Sequence, residues 1–380
     1  MPQGDDAMHR WFLQTVLFLV AAHVVGSARR APAQDAWPLF RGGPQSQGVY
    51  RGSLPEKLTR RWQFRVPEGS FEATPTIAEG TVFIGDMDGT LYALDLQTGK
   101  QKWQWKNELG FVTAPAYRHE RLYLGDIGGD FFCIDAKTGK PVWHFTTDAE
   151  INSSANFDPQ HVLFGSQDAT LYCLDQKTGK LIWKHVTADQ IRCMPTIAAD
   201  RCFVAGCDGA FHVIRRTDGK PLGEIAIDAP TGVTPAVKDD FVYFGHEGGV
   251  FFAVDWRSLK IVWKLEDERR RLPFRASPAV TDDRVVIAGH DKRVRALDRK
   301  TGEVKWTFTA RGRFESSPVV CGNDVIIGGS DRRLYRLDLA TGKKRWEYEV
   351  NGRFIGSPAV ARGNVVIATD RGVVYCFGSP

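Results

Sequence analysis

The chain has 380 residues, 43% of them hydrophobic and 25% charged, with 38 Gly and a formal net charge of +5. So slight a positive balance, with no concentrated basic stripe, excludes a general nucleic-acid binder. Seven Cys leave at least one unpaired and argue against a disulfide framework, while the glycines suit an all-β chain that turns often.

Residues 1–33 read as an export signal. A short basic start precedes an apolar run from about Trp11 to Ala28, and "APA" at 31–33 offers small residues for cleavage before Gln34. Gly26-Ser27-Ala28 is a second cleavage option, Met8 a second start because Asp5 and Asp6 spoil the basic region, and an uncleaved anchor the competing reading. No Cys follows the apolar run, so lipid attachment of the bacterial lipoprotein kind is not expected. The mature chain is expected in the periplasm or outside the cell, without membrane insertion. Residues 34–55 are assigned to an N-terminal extended segment.

From residue 56 onward the chain repeats itself. "ALDLQTGKQKW" ends at Trp103, and near-copies end at Trp143, Trp183, Trp306 and Trp346. Aligned on Asp95, Asp135, Asp175, Arg215, Asp255, Asp298 and Asp338, the copies are 40 residues apart except for one step of 43. Twenty residues before each anchor stands Pro75, Pro115, Ala155, Pro195, Pro235, Pro278 or Pro318, and Pro358 opens an eighth copy.

Within a unit, "ATPTIA", "TVFIGDM", "TLYALDL" and "KWQWK" are short apolar runs separated by Glu79-Gly80, Asp88-Gly89 and Thr98-Gly99-Lys100. Asp-Gly between alternating runs marks a hairpin, because the turn needs a positive φ that Gly adopts freely. Four antiparallel strands recurring every 40 residues predict a propeller blade. The eighth copy stops after its third strand, and "RRWQFRV", with Trp62, is a fourth strand lacking a blade. Pairing the two predicts an eight-bladed β-propeller over 56–380, closed by the N-terminal strand.

The repeated Trp is expected to fill the wedge between twisted blades, against small residues such as Cys133, Cys173 and Cys376. Thr-Gly-Lys is a rim turn, since no phosphate-loop spacing surrounds it. In the fourth copy Gly223 stands where others carry Trp, and Arg215 replaces Asp; both predict a gap and a weak blade.

The inter-blade loops and the turns between second and third strands share one face. On it, Glu72, Val112, Asn152, Arg192, Gly232, Arg275, Glu315 and Ile355 form the predicted channel mouth. Cys193, Cys207, His246, Glu247 and His290 lie near it but match no metal motif, and no metal site is assigned. The three extra residues of the long step fall in "KLEDERRRLPFRASP". They bring Arg269, Arg270, Arg271 and Arg275 to this face, and the next two loops add Arg311, Arg313 and Arg353. These seven are the candidate partner-binding residues, because an insertion on one loop face of a repeat array often marks the binding side. Phe274, Phe314 and Phe354 share the register of Phe71 and Phe111 and are expected to pack inward.

The pattern Ala-x-Asp-x-x-Thr-Gly-x-x-x-Trp resembles the tryptophan-docking repeat of quinoprotein (PQQ-like) propellers, and "WPLFRGGPQSQGVY" at 37–50 is similar to the segment opening many exported members. That superfamily holds both pyrroloquinoline-quinone (PQQ) alcohol dehydrogenases and the outer-membrane assembly scaffold BamB. The resemblance implies, for the dehydrogenases, a quinone between a Trp floor and a disulfide of adjacent cysteines, with calcium beside it. This chain has no Cys-Cys pair. No catalytic residue and no cofactor is therefore assigned, and the expected role is a monomeric, non-catalytic scaffold for a protein partner. A small quinone-dependent oxidoreductase and a carbohydrate- or small-ligand-binding module remain the alternatives.

Overall fold

The alternating runs of each unit pair as their turns require. In the computed structural model, which describes residues 35–266 and 271–380, the first unit is an antiparallel sheet of Thr76–Ala78, Thr81–Gly85, Thr90–Asp95 and Gln101–Lys106, in that order. The described residues hold eight such blades and no helix. The innermost strands run for only two or three residues, because a proline without an N–H stands just ahead of most of them. Ring closure is as expected: Thr59–Arg65 pairs antiparallel with Val373–Gly378, setting Trp62 opposite Cys376.

The repeated tryptophans explain how blades adhere. Ala93, Cys133 and Cys173 lie directly across from Trp103, Trp143 and Trp183, so a small side chain leaves room for each indole. Each ring then leans onto the Thr-Gly turn of the next blade. A Cβ on Gly139 would meet the ring of Trp103 at 2.6 Å, and that glycine has φ +71°, so the position tolerates Gly on two separate grounds. The indole N–H of Trp103 donates to the carbonyl of Ala136 at 3.1 Å, and Trp62, Trp143, Trp183, Trp263 and Trp306 repeat the bond at 2.8 to 3.2 Å. Burial supplies the energy and the bond sets the angle.

The gap expected at Gly223 is not a cavity. Leu259, from the turn of the following blade, fills it, and a Cβ on Gly223 would lie 2.2 Å from its Cδ1. That turn lacks Thr-Gly and holds Leu259 at φ +55°. Beside it Trp256, buried, packs on Phe203 with centroids 5.6 Å apart and donates to Asp239 at 3.2 Å. The fifth blade thus reaches back to cover what the fourth lacks.

Segment 37–50 does more than extend. It circles the inner edges of the blades and hands carbonyls to their unpaired N–H groups. Trp37 exchanges two bonds with Ile77, and Pro38 accepts from Tyr117. Pro44, Gln45, Gln47 and Gly48 accept from Ile197, Val237, Val280 and Val320 at 2.8 to 2.9 Å. Val49–Tyr50 adds a parallel fifth strand to the seventh blade, and the Tyr50 hydroxyl accepts from Gly363 of the eighth. Inner-strand ends are otherwise edges whose polar groups would need water. Arg41, fully buried on this strap, donates to the carbonyls of Pro278 and Pro318 at 3.0 and 2.5 Å. Those carbonyls correspond to the ones capped elsewhere by Thr76, Asn156 and Thr196, where the fifth and sixth blades carry Ala236 and Ala279.

The Asp that recurs in six of these turns is a local clamp. One oxygen of Asp175 accepts from the backbone of Lys177 and Thr178 and from the Thr178 hydroxyl, at 3.1, 2.8 and 2.8 Å. The hydroxyl bond is the largest influence on this carboxyl and lowers its pKa, against partial burial, which raises it. A depressed carboxyl stabilises the fold above its unfolded pKa of about 3.9 and loses that contribution as pH falls through the lower folded value. Thr178→Ala is therefore expected to lower the melting temperature at pH 7 and to differ less from wild type below about pH 4. A pH-independent difference would show that the threonine acts without the carboxylate.

Candidate functional site

The inter-blade loops and the turns between second and third strands do share a face, since each loop bonds to the turn beside it. Phe111 donates to Asp86 at 2.9 Å and Phe314 to Gly289 at 3.3 Å. The five phenylalanines Phe71, Phe111, Phe274, Phe314 and Phe354 are all buried beneath these loops, as their register requires. At the axis, all eight residues of the predicted mouth line one well of about 160 Å³. Below them a second ring forms the wall, and Phe40 of the strap is the floor.

The wall is a circle of hydroxyls joined blade to blade. Thr74, Ser154, Thr234, Ser277, Ser317 and Ser357 each accept the backbone N–H of the corresponding residue in the preceding blade, at 2.8 to 3.0 Å. The circle is interrupted where Ala114 and Met194 stand. Ala114→Ser would offer Thr74 the acceptor it lacks in this circle, and the variant is expected to be more stable by about 0.5–1 kcal/mol, the net value of one such bond. A chemical melt with an unchanged slope and a raised midpoint is the expected readout; an unchanged midpoint refutes it.

Of the seven candidate arginines, Arg269 and Arg270 lie outside the described residues. Arg271 pairs with Glu266 at 2.9 Å, Arg275 with Glu247 at 3.5 Å, Arg313 with Glu315 at 3.2 Å and Arg353 with Asp370 at 2.7 Å. Arg311 is exposed and has no ion-pair partner among the described residues. The loops therefore carry their own partial neutralisation, which the arginine count alone does not reveal. The same register locates a feature that sequence reasoning missed: Asp88, Glu108, Asp148, Glu150, Asp189 and Asp228 stand exposed on the loops of the first four blades. None has an ion-pair partner among the described residues. The face is thus acidic over one half and arginine-rich over the other.

Cys193 and Cys207 are free, like the other five thiols. Cys207 points its sulfur at the Thr231 carbonyl, 3.7 Å away, and burial raises its pKa and that of Cys193, to about 12 for the latter. His246 is buried with Nδ1 unpartnered, and His290 approaches Glu315 at 2.9 Å, off the axis of a hydrogen bond. Among the described residues no three His, Cys, Asp or Glu side chains converge to hold a metal ion.

The sequence model of the family described as outer membrane protein assembly factor BamB matches residues 59–110, 104–266 and 167–377. The chain belongs to that family. A solved BamB from Moraxella catarrhalis is 18% identical with a TM-score of 0.72, over 85% of this chain and all of that one. The quinohemoprotein alcohol dehydrogenase from Comamonas testosteroni is 14% identical with a TM-score of 0.79, over 93% of this chain and 81% of the enzyme. At such identities the likeness to both is one of fold. Among curated proteins, the serine/threonine-protein kinase AfsK of Streptomyces griseus is 34% identical over 85 residues, so the chain spans about a tenth of that relative's length.

The same fold thus occurs in an outer-membrane assembly factor and in an alcohol dehydrogenase, and the well decides what this chain's residues fit. A quinone held as the resemblance implies needs adjacent cysteines and a tryptophan floor, but the floor is Phe40 and no tryptophan lines the well. Its 160 Å³ is also below the roughly 300–1,000 Å³ of sites for larger ligands. The lining does not fit that cofactor. No helix among the described residues is long and apolar enough to cross a membrane.

Proposed function

We propose that this BamB-family chain is an exported, non-catalytic scaffold that binds a protein partner through the face carrying its inter-blade loops. The observation supporting this reading is the arrangement of Arg271, Arg275, Arg311, Arg313 and Arg353 on neighbouring loops of one face, beside the insertion that carries Arg269 and Arg270. The family description points to proteins of outer-membrane assembly as the partner class, and to the periplasm as the place. Arginine suits an acidic partner surface because its planar fork holds a carboxylate with two hydrogen bonds. Each exposed pair contributes little, about 0–1 kcal/mol, and the internal carboxylates compete, so binding rests on several arginines together and weakens with salt.

The test is co-purification with outer-membrane assembly proteins from the native periplasm. Arg271→Glu/Arg311→Glu/Arg313→Glu is expected to lose the partner, while reversal of Lys100, Lys140 and Lys180 on the opposite rim is expected to keep it. Equal recovery by both variants sinks the reading.

A further inference from the structure

The axial well carries a chemistry that a flat protein-docking face does not require. Each wall hydroxyl has one proton to give and two lone pairs to receive. The six of the wall all spend a lone pair on a backbone N–H, yet none donates to an acceptor among the described residues. Their remaining capacity as donors therefore belongs to whatever enters the well. The mouth adds Arg192, whose Nε and Nη2 contact only the neutral Gln190, at 2.9 and 2.5 Å. Gly232 separates Arg192 from Arg275 in the ring, and a Cβ there would approach the Arg192 Cβ at 3.3 Å, so no side chain rises between the two guanidinium groups. Beneath the floor lies Arg41, its guanidinium carbon 5.9 Å from the Phe40 ring centroid. It is fully buried, has no carboxylate partner, and leaves Nε and Nη1 without an acceptor. A buried cation without a counterion is costly, and its field is poorly screened in so dry a place.

We propose that the axial well binds a carboxylate group, received by the wall hydroxyls and the Arg192–Arg275 gap and favoured by the buried charge of Arg41. Of the two glutamates of the mouth, Glu315 is engaged by Arg313 at 3.2 Å and Glu72 stands on the far side of the ring, while Arg275 already faces Glu247 at 3.5 Å, so Arg192 is the principal cation left for the anion. The volume of about 160 Å³ suits a carboxylate with a few carbons. The carboxylate could belong to a free small acid or to a side chain of a docked protein, and the well stands as a site whether or not the surrounding loops receive that protein.

Titration of the purified mature protein with succinate, and separately with an end-capped Gly-Gly-Glu-Gly-Gly peptide, tests this by calorimetry. At least one probe is expected to saturate one site per chain, and the tighter one identifies the source. Arg192→Gln is expected to weaken that binding about tenfold or more, the cost of losing one charge-assisted bond. Gly232→Leu, which fills the gap, is expected to weaken it likewise, and Lys140→Glu on the opposite rim to leave it unchanged. Absence of saturable binding by both probes overturns the proposal, as does unaltered binding by Arg192→Gln. Loss of the protein partner with retained succinate binding would separate this site from the scaffold reading.

Discussion

A chain lacking residues 37–66 is expected not to persist as a folded monomer. The deletion removes Trp37, Tyr50 and Trp62, all buried, together with the outer strand of the last blade. Emptying a single buried aromatic site costs about 3–5 kcal/mol, so three of them approach the whole stability of an ordinary domain, about 5–15 kcal/mol. It also uncovers the edge of Val373–Gly378, whose unpaired groups would then template association. Removal of 37–50 alone keeps the closing strand, and that variant is expected to remain monomeric with a markedly lower melting temperature. Light scattering coupled to size exclusion distinguishes the two. A full deletion that stays monomeric and melts like wild type would show that neither segment holds the ring.

Trp256→Ala is the second large effect expected. This residue and Leu259 occupy the wedge that Gly223 leaves open, so the truncation should cost about 3–5 kcal/mol, as for any buried tryptophan. Hydrogen exchange should then accelerate first in Pro221–Ala226 and Lys260–Glu266, the outer strands on either side of that wedge. In the intact protein the fourth blade is expected to exchange no faster than its neighbours. Faster exchange there without the mutation would restore the view that Gly223 is a defect.

These two cases mark where sequence reasoning succeeds and where it stops. The blades, their closure through Trp62 and the eight residues of the mouth were legible because a 40-residue period fixes both strand register and loop position. The strap was not, because it joins the blades through its own backbone carbonyls, and such bonds leave no mark on residue type. Arg41 is intelligible only once Ala236 and Ala279 are seen to lack the hydroxyls found on Thr76 and Thr196. Trp256 escaped notice for a related reason. It compensates a glycine 33 positions earlier, so an alignment records two separate irregularities where the packing has one solution. Of the candidate arginines, the five described lie on loops of one face, and pairing with Glu247, Glu266, Glu315 and Asp370 moderates the charge of four of them, which a count of arginines does not reveal.

The strap and the closing strand also impose an order on biosynthesis. Thr59 bonds to Gly378, 319 residues later, so the first part of the propeller to be made waits for the last. At about 5–20 residues per second that interval is roughly 15–65 s. Throughout it the strand Thr59–Arg65 lacks its partner Val373–Gly378, and Tyr50 lacks Cys321 and Gly363; contacts this distant close slowly even in the finished chain. If the open ring is the vulnerable species, depletion of the chaperones that hold nascent apolar segments is expected to reduce the yield of this protein more than its stability once folded, as read by soluble expression against melting temperature.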